Sequence, residues 1–135
     1  MQPEARREAD EWLQRADRDL IIAARAIDGV PALADQAAYH AQQATEKALK
    51  SFLAAHNRPL QKTHNLERLV AQCRGVDPTF GDFLASARTL NPYATVFRYP
   101  GGPLEPSRDE AQRAIQLARE IVDRVREQLR NPEDG

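Results

Sequence analysis

The stretch Tyr39–Phe52 reads Tyr-His-Ala-Gln-Gln-Ala-Thr-Glu-Lys-Ala-Leu-Lys-Ser-Phe and sets the fold expected for this chain of 135 residues. On a helix, at about 100° per residue, it shows a face of small residues. That face consists of Ala37, Ala41, Ala44, Ala48, Ala55 and Phe52. Small side chains let another helix approach closely, so this face predicts a helix at the centre of a helical bundle.

A polar row lies on roughly the opposite side of the same helix. It consists of Tyr39, Gln43, Glu46 and Lys50. Leu49 and Leu53 lie between the two faces and add an apolar flank. One interpretation is an ordinary amphipathic helix, with Glu46 and Lys50 as an exposed i,i+4 ion pair worth about 0.3–0.5 kcal/mol. The other is a line of donors, acceptors and charges that binds a ligand.

Composition limits the class of protein. The chain has 41% hydrophobic and 29% charged residues and a net charge of −1, which is ordinary for a soluble globular domain and gives no overall signal for nucleic acid or acidic membranes. No apolar run approaches a membrane span, and the N-terminus lacks the apolar stretch of a signal peptide. Cys73 is the only cysteine, which is consistent with a cytoplasmic location. We expect one domain, residues 1–135, with its core at about 8–130.

Every periodic segment of the chain favours a helix, and none indicates a strand. The five predicted helices run from about Glu8 to Ile27, from about Leu33 to Ala55, from Asn65 to before Gly75, through Phe80–Ala87 to before Asn91, and from Ser107 to about Arg130. Asn65 is a candidate N-cap, and Ser107 with Glu110 has the spacing of a capping box. The predicted fold is all-α: an antiparallel up-and-down bundle of three long and two short helices.

The connection between Asn91 and Pro106 is too apolar for a free linker. Its four prolines and two glycines forbid a continuous helix, yet it contains Tyr93, Phe97 and Tyr99. Long loops without regular structure are often functional. One interpretation is that the aromatic side chains cover an end of the core. The other is that this packing holds Arg98 and Tyr99 toward the second helix.

Three short motifs, taken together, resemble those of the HEPN domain (higher eukaryotes and prokaryotes nucleotide-binding). They are Tyr39-His40-Ala41-Gln42-Gln43 with Glu46-Lys47-Ala48-Leu49-Lys50, then Thr63-His64-Asn65-Leu66, then Arg98-Tyr99-Pro100. Each motif alone is weak, but their order and spacing match, and the resemblance covers about Glu8 to Leu129. It implies a helical bundle that forms a homodimer, acts beside a small nucleotidyltransferase in a toxin–antitoxin-like pair, and binds a nucleotide or RNA.

The ligand-binding residues predicted on this basis lie on the polar row, at the start of the third helix and in the proline-rich loop. They are Tyr39, Gln43, Glu46, Lys50, His64, Arg98 and Tyr99. His64 has two interpretations: it caps or packs the helix start, or it adds a titratable donor at a phosphate-attracting helix N-terminus. His40 and His56 are interpreted as surface or packing residues. No metal or cofactor is predicted.

Many proteins of the resembled family are metal-independent ribonucleases, and their motif is only partly present. It is an Arg followed after four to six residues by a His, near the start of a late helix, completed by dimerisation. Only Arg58 before His64 has that spacing, and it lies in the link after the second helix; the last helix has no His. Arg58 and His64 are therefore a fallback catalytic pair.

Three hypotheses from different classes follow. The first, which we favour, is a binding module that dimerises, engages a nucleotidyltransferase and binds a nucleotide. The second is a ribonuclease that uses Arg58 and His64 across a dimer. The third is a structural dimer without a small ligand. P-loop, Gly-x-Gly-x-x-Gly, His-Glu-x-x-His and Gly-x-Ser-x-Gly patterns are all absent from the sequence.

Overall fold

A computed structural model describes residues 1–95 and 105–130 of the chain. Within these ranges the secondary structure is helical, without strands, as the sequence predicts. The α-helices are α1 (Pro3–Asp28), α2 (Ala34–Ala55), α3 (Leu66–Arg74), α4 (Leu84–Leu90) and α5 (Arg108–Arg130). Two 3-10 segments, Pro78–Phe83 and Asn91–Ala94, flank α4. No helix in the described ranges has the length and apolar character needed to cross a bilayer.

The alanine face of α2 is buried against α1 and α5, as predicted. Ala37, Ala41, Ala44 and Ala48 have no exposed surface. Ser51 Oγ donates a hydrogen bond of 2.6 Å to the carbonyl oxygen of Ala9, which ties α2 directly to α1. The absence of bulk on this face allows the close approach, so α2 lies at the centre of the bundle.

The recorded contacts give the directions of α2 and α5 relative to α1. Ser51 contacts Ala9 and His40 contacts Asp19, so α2 runs back along α1. Arg126 donates to Asp17, while Arg108 donates to the carbonyl oxygen of Ile27. Helix α5 therefore also runs opposite to α1. Both α2 and α5 are therefore antiparallel to α1 and parallel to each other.

Helix α1 begins at Pro3, earlier than the predicted Glu8. Proline suits the first helical position because its φ is fixed and its missing N–H would have no partner there. Glu4 in the first turn complements the helix dipole, and the side chains of Ala5 and Ala9 are buried. The apolar stripe of α1 thus extends about one turn toward the N-terminus beyond the larger apolar residues from which the helix was predicted.

The predicted fourth helix is divided, which the sequence analysis did not anticipate. Pro78–Phe83 forms 3-10 turns, and the α-helix proper begins at Leu84. Asp77 caps the first segment by accepting from the backbone N–H of Thr79 at 3.0 Å. Gly81 lies inside that segment, and glycine weakens an α-helix interior. The α-helix nevertheless ends at Leu90, before Asn91-Pro92 as expected.

A reversal at the end of α2 leads the chain toward the predicted site. Asn57 has φ of 56°, a left-handed conformation that asparagine tolerates better than most residues. The N–H of Arg58 donates to Leu53 O at 2.9 Å, and that of Asn57 donates to Ala54 O at 3.1 Å. These two bonds form a Schellman motif. It turns the chain back, so that the following link carries His64 along the side of α2.

Both predicted helix caps are confirmed. The Asn65 side chain accepts from the N–H groups of Glu67 and Arg68. Ser107 and Glu110 bond reciprocally: Glu110 N donates to Ser107 Oγ at 3.0 Å, and Ser107 N donates to Glu110 Oε1 at 2.8 Å. Asn91 adds a contact that was not predicted, because its Oδ1 accepts from Leu66 N at 2.7 Å. The start of α3 is therefore held from both sides.

The connection after α4 begins with a 3-10 segment whose aromatic residue packs on the core. Tyr93 is half-buried against the core cluster, and burial, together with the negative charge of Glu110, raises the pKa of its hydroxyl. This much agrees with the interpretation that aromatic side chains cover an end of the core. Arg98 and Tyr99 lie outside the described residues.

Candidate ligand-binding site

The carboxylate of Glu46 is the centre of a polar network on the side of α2 away from the alanine face. Its side chain is only 5% exposed. One oxygen, Oε2, accepts from Lys50 Nζ at 2.9 Å, and the other, Oε1, lies 2.9 Å from His64 Nδ1. A buried carboxylate is costly unless both oxygens have partners. Here each oxygen has one, so the network joins α2 to the link before α3.

His64 is anchored on one side and open on the other. Its side chain is 74% exposed although Nδ1 bonds to buried Glu46. Gln42 Nε2 donates to the carbonyl oxygen of His64 at 3.3 Å, and Asn65 holds the next turn as the cap of α3. A carboxylate at Nδ1 favours the tautomer with the proton on that nitrogen. The Nε2 side of the ring is thereby presented to solvent, ready to accept a proton or, when charged, to contact an anion.

Lys50 acts as the counter-ion of Glu46 and is shielded from solvent. Its ammonium group lies 5.5 Å from the centre of the Trp12 ring, within the range of a cation–π interaction, and its side chain is 10% exposed. The interpretation of Glu46 and Lys50 as an exposed ion pair is therefore wrong, because α1 and the link before α3 cover them. Lys50 holds the carboxylate that in turn orients His64.

The remaining predicted residues of α2 extend the network without joining it at Glu46. Gln43 is half-buried, and its Nε2 donates to Gln42 Oε1 at 2.7 Å, so it supports the side chain that holds the His64 carbonyl. Tyr39 is half-buried, and its ring meets the edge of His40 at a centroid distance of 5.1 Å. The structure thus brings Gln43, Glu46, Lys50 and His64 into one connected network. Tyr39 lies further along the same helix.

The fallback pair Arg58 and His64 is not joined within one chain among the described residues. Arg58 lines a small pocket of about 240 Å³ with Leu53, Pro59, Gln61 and Gln72. His64 contacts Glu46, two turns of α2 before Leu53, which is a separation of about 10 Å along the helix axis. A catalytic pair made of these two residues therefore requires the second protomer of a dimer.

A second polar cluster was missed by sequence reasoning, which interpreted His40 as a surface or packing residue. Asp19 of α1 is 7% exposed at its side chain, and it pairs with Lys47 Nζ at 2.6 Å and His40 Nδ1 at 2.9 Å. The i,i+7 spacing of His40 and Lys47 places them on one face of α2. That spacing does not reveal Asp19, which faces them from another helix.

Cys73 and His56, which lie outside these clusters, have shifted pKa values. Burial raises the pKa of the Cys73 thiol to about 12, so this cysteine is a packing residue rather than a nucleophile. Burial and the nearby charge of Arg58 lower the pKa of His56, whose ring packs on Phe52 at a centroid distance of 4.6 Å. In the described part of the chain, no three His, Cys, Asp or Glu side chains are grouped to hold a metal ion.

The helical bundle and its α2-centred polar network define a class of small all-α domain, and comparison with known proteins identifies the family. The HEPN domain model matches residues 9–128. The chain therefore belongs to the HEPN family, as its three motifs indicated.

Two solved structures support this assignment. Protein TT1696 from Thermus thermophilus is 30% identical and superposes with a TM-score of 0.77, over 89% of this chain and 97% of that one. ST0689, described as an archaeal HEPN homologue, is 26% identical with a TM-score of 0.72, over 90% of this chain and 98% of that one. No curated protein matches the sequence.

Proposed function

We propose that this HEPN protein is a dimeric, cytoplasmic binding module that engages a small nucleotidyltransferase in a toxin–antitoxin-like pair and binds the phosphate of a nucleotide or RNA. The observation that carries the ligand-binding part is the arrangement of His64. Its ring is 74% exposed, yet a carboxylate that is itself 5% exposed holds Nδ1. A carboxylate with a purely structural role does not need an exposed partner. An imidazole that binds a ligand, in contrast, needs a second group that fixes its orientation.

In this proposal His64 contacts the phosphate, and Glu46 and Lys50 are positioning residues. Gln43 supports His64 through Gln42. Arg98 and Tyr99 remain predicted members of the site, with the guanidinium of Arg98 suited to bidentate contact with a phosphate. Tyr39 offers a ring and a hydroxyl on the same side of α2.

The test of ligand binding is titration of the purified protein with AMP and with a short single-stranded RNA. A charge-assisted contact to phosphate contributes about 1.5–3 kcal/mol, so His64→Ala should weaken binding of both by about tenfold or more. His56→Ala is the matched control, because His56 is also exposed but lies at the end of α2, and it should change binding less than twofold. Equal effects of the two substitutions, or no binding by the wild type, would favour a dimer without a ligand.

The test of assembly has two measurements. Light scattering should give twice the chain mass of 15.2 kDa, since closed twofold dimers are the commonest soluble oligomers. Purification from the native host should recover a small nucleotidyltransferase with the protein. A monomer at tens of micromolar, or recovery of no nucleotidyltransferase, would contradict the corresponding half of the proposal.

A metal-independent ribonuclease is the second candidate, and the same histidine favours it. With Nδ1 bonded to Glu46, neutral His64 has Nε2 available as a proton acceptor, the role of a general base toward a ribose hydroxyl. Arg58 of the other protomer would contact the phosphate. RNA cleavage that persists in chelator and is lost in both His64→Ala and Arg58→Ala would establish this activity. Absence of cleavage by the wild type would reject it.

A further inference from the structure

The groove between α1 and α2 is lined by more positive charge than its carboxylate neutralises. It forms a pocket of about 170 Å³, lined by Arg15, Arg18, Asp19, Ile22 and Lys47. The negative charge of Asp19 is shared by Lys47 at 2.6 Å and by His40 at 2.9 Å. The buried carboxylate is therefore balanced before the two arginines are counted, and the groove has an excess of positive charge in a chain whose net charge is −1.

Arg15 and Arg18 have no partner of their own. Both side chains are exposed, and neither has a hydrogen bond, ion pair or ring contact with any residue in the ranges 1–95 and 105–130. They are three positions apart on α1, where like charges repel. An anion bound between them would relieve that repulsion, and a guanidinium presents paired donors that match phosphate oxygens.

The groove and the His64 site lie on two different flanks of α2. Lys47 follows Glu46 directly in the sequence, so their side chains leave α2 about 100° apart. Glu46 is turned toward His64 on one flank, and Lys47 is turned toward Asp19 of α1 on the other. A helix with its side chains is about 10–12 Å across, so the two sites are on the order of 10 Å apart. Such a separation is spanned by an extended nucleic-acid strand and not by one phosphate.

We infer that Arg15 and Arg18 form a second phosphate subsite, and that the ligand of this protein is a single-stranded RNA whose backbone crosses α2 from the groove to His64. This inference rests on the proposed function, in which His64 contacts phosphate, and it selects RNA over a mononucleotide. Asp19 holds Lys47 in the groove. Ile22, 42% exposed, provides an apolar contact for a sugar or base.

The test compares two double substitutions that remove the same charge from different faces. Arg15→Gln/Arg18→Gln removes both guanidinium groups of the subsite. Arg113→Gln/Arg119→Gln removes two exposed arginines of α5, the helix that packs on the opposite, alanine face of α2. The ligands are a short labelled single-stranded RNA and AMP. Circular dichroism and thermal unfolding of each variant show whether the helices are retained, as expected for exposed side chains.

We expect Arg15→Gln/Arg18→Gln to lower RNA affinity about tenfold or more and to leave AMP affinity within twofold of wild type. Two lost phosphate contacts should also reduce the slope of log K against log salt by about 1.4. The α5 variant should change RNA affinity less than twofold. Equal loss in the two variants, or equal loss for AMP and RNA, would overturn the inference. The inference would also be overturned if Arg15→Gln/Arg18→Gln weakened only the binding of the nucleotidyltransferase.

His64→Ala separates failure of the inference from failure of the proposed function. If His64→Ala weakens AMP and RNA while Arg15→Gln/Arg18→Gln weakens neither, the His64 site stands and the second subsite is rejected. If His64→Ala changes neither, the proposed ligand site is wrong, and the inference built on it is rejected as well.

Discussion

The two faces of α2 are both buried, but they are buried by different means. On the alanine side, Ala44 and Ala48 are fully buried between α1 and α5, and removal of apolar surface from water is itself favourable. On the polar side, Glu46 and Lys50 are buried because each has a charged partner, and Trp12 and His64 complete the cover. The first face stabilises the fold through removal of apolar surface and close packing, whereas the second depends on particular charged partners being present.

The alanine side of α2 stabilises the bundle, and the polar side fixes the geometry of the site. Burial of a charge pair seldom stabilises a protein relative to an apolar pair, but loss of one partner is costly. The polar side therefore contributes a fixed position for His64 rather than additional stability.

Glu46→Ala should have the largest effect on stability. It leaves the Lys50 ammonium buried beside Trp12 without its carboxylate, and breaking a buried pair costs about 3–5 kcal/mol. Because Lys50 is 10% exposed and can move its ammonium toward water, we expect about 3 kcal/mol. The measurement is urea unfolding at constant m.

The matched control for that substitution is Glu46→Ala/Lys50→Met, which removes both charges. It should recover most of the lost free energy of unfolding while leaving His64 without its anchor. A loss below about 1 kcal/mol in the single variant would mean that the pair behaves as a surface pair. The polar face would then resemble an ordinary amphipathic helix.

Ala48→Leu should have the next largest effect, on the opposite face. Ala48 has no exposed surface, so the added atoms must displace α1 or α5, and overpacking of this kind costs about 1–3 kcal/mol. Thermal or urea unfolding measures the loss. Ala71→Leu on the exposed side of α3 is the control and should stay within about 0.5 kcal/mol of wild type. Wild-type stability of Ala48→Leu would show that the alanine face is not closely packed.

His56→Gln should have the smallest effect on the free energy of unfolding. His56 lies at the end of α2. Burial and Arg58 lower the pKa of His56 from 6.5, so the folded protein binds this proton less readily than the unfolded chain. The contribution to stability is therefore fully present above pH 6.5 and falls as the pH drops below that value.

The size of this effect is limited by exposure, because solvent screens a partly exposed ring; we expect less than about 0.5 kcal/mol. The measurement is the free energy of unfolding of wild type and His56→Gln at pH 8 and pH 5.5, and the substitution should make the difference between the two conditions smaller. An unchanged or larger difference would mean that His56 is not the group responsible.

Local sequence was sufficient wherever a residue acts on its own helix. Ser107 with Glu110, and Asn65 with the N–H groups of Glu67 and Arg68, are bonds between residues two or three positions apart. Their caps were therefore predicted correctly. The divided fourth helix shows the limit of this approach, since its apolar spacing suits an α-helix while Asp77, Pro78 and Gly81 produce 3-10 turns at its start.

Local sequence was insufficient wherever the partner belongs to another element. Glu46 and His64 are 18 residues apart, and Asp19 lies 21 residues from His40 and 28 from Lys47. No periodicity connects such positions, because each helix can be rotated independently about its axis until packing fixes it. For this reason the prediction from sequence put Glu46 and Lys50 on a polar row exposed to solvent.

The amino-acid order alone determined that this protein is helical, that α2 has an alanine side fit for the centre of a bundle, and that the chain carries HEPN motifs. These properties depend on spacing along one helix and on residue type. Tertiary structure alone decided that the polar side is buried, that Glu46 anchors an exposed His64, and that Asp19 balances Lys47 and His40. Burial of a charge is a property of what packs against it, and that is set only when the helices meet.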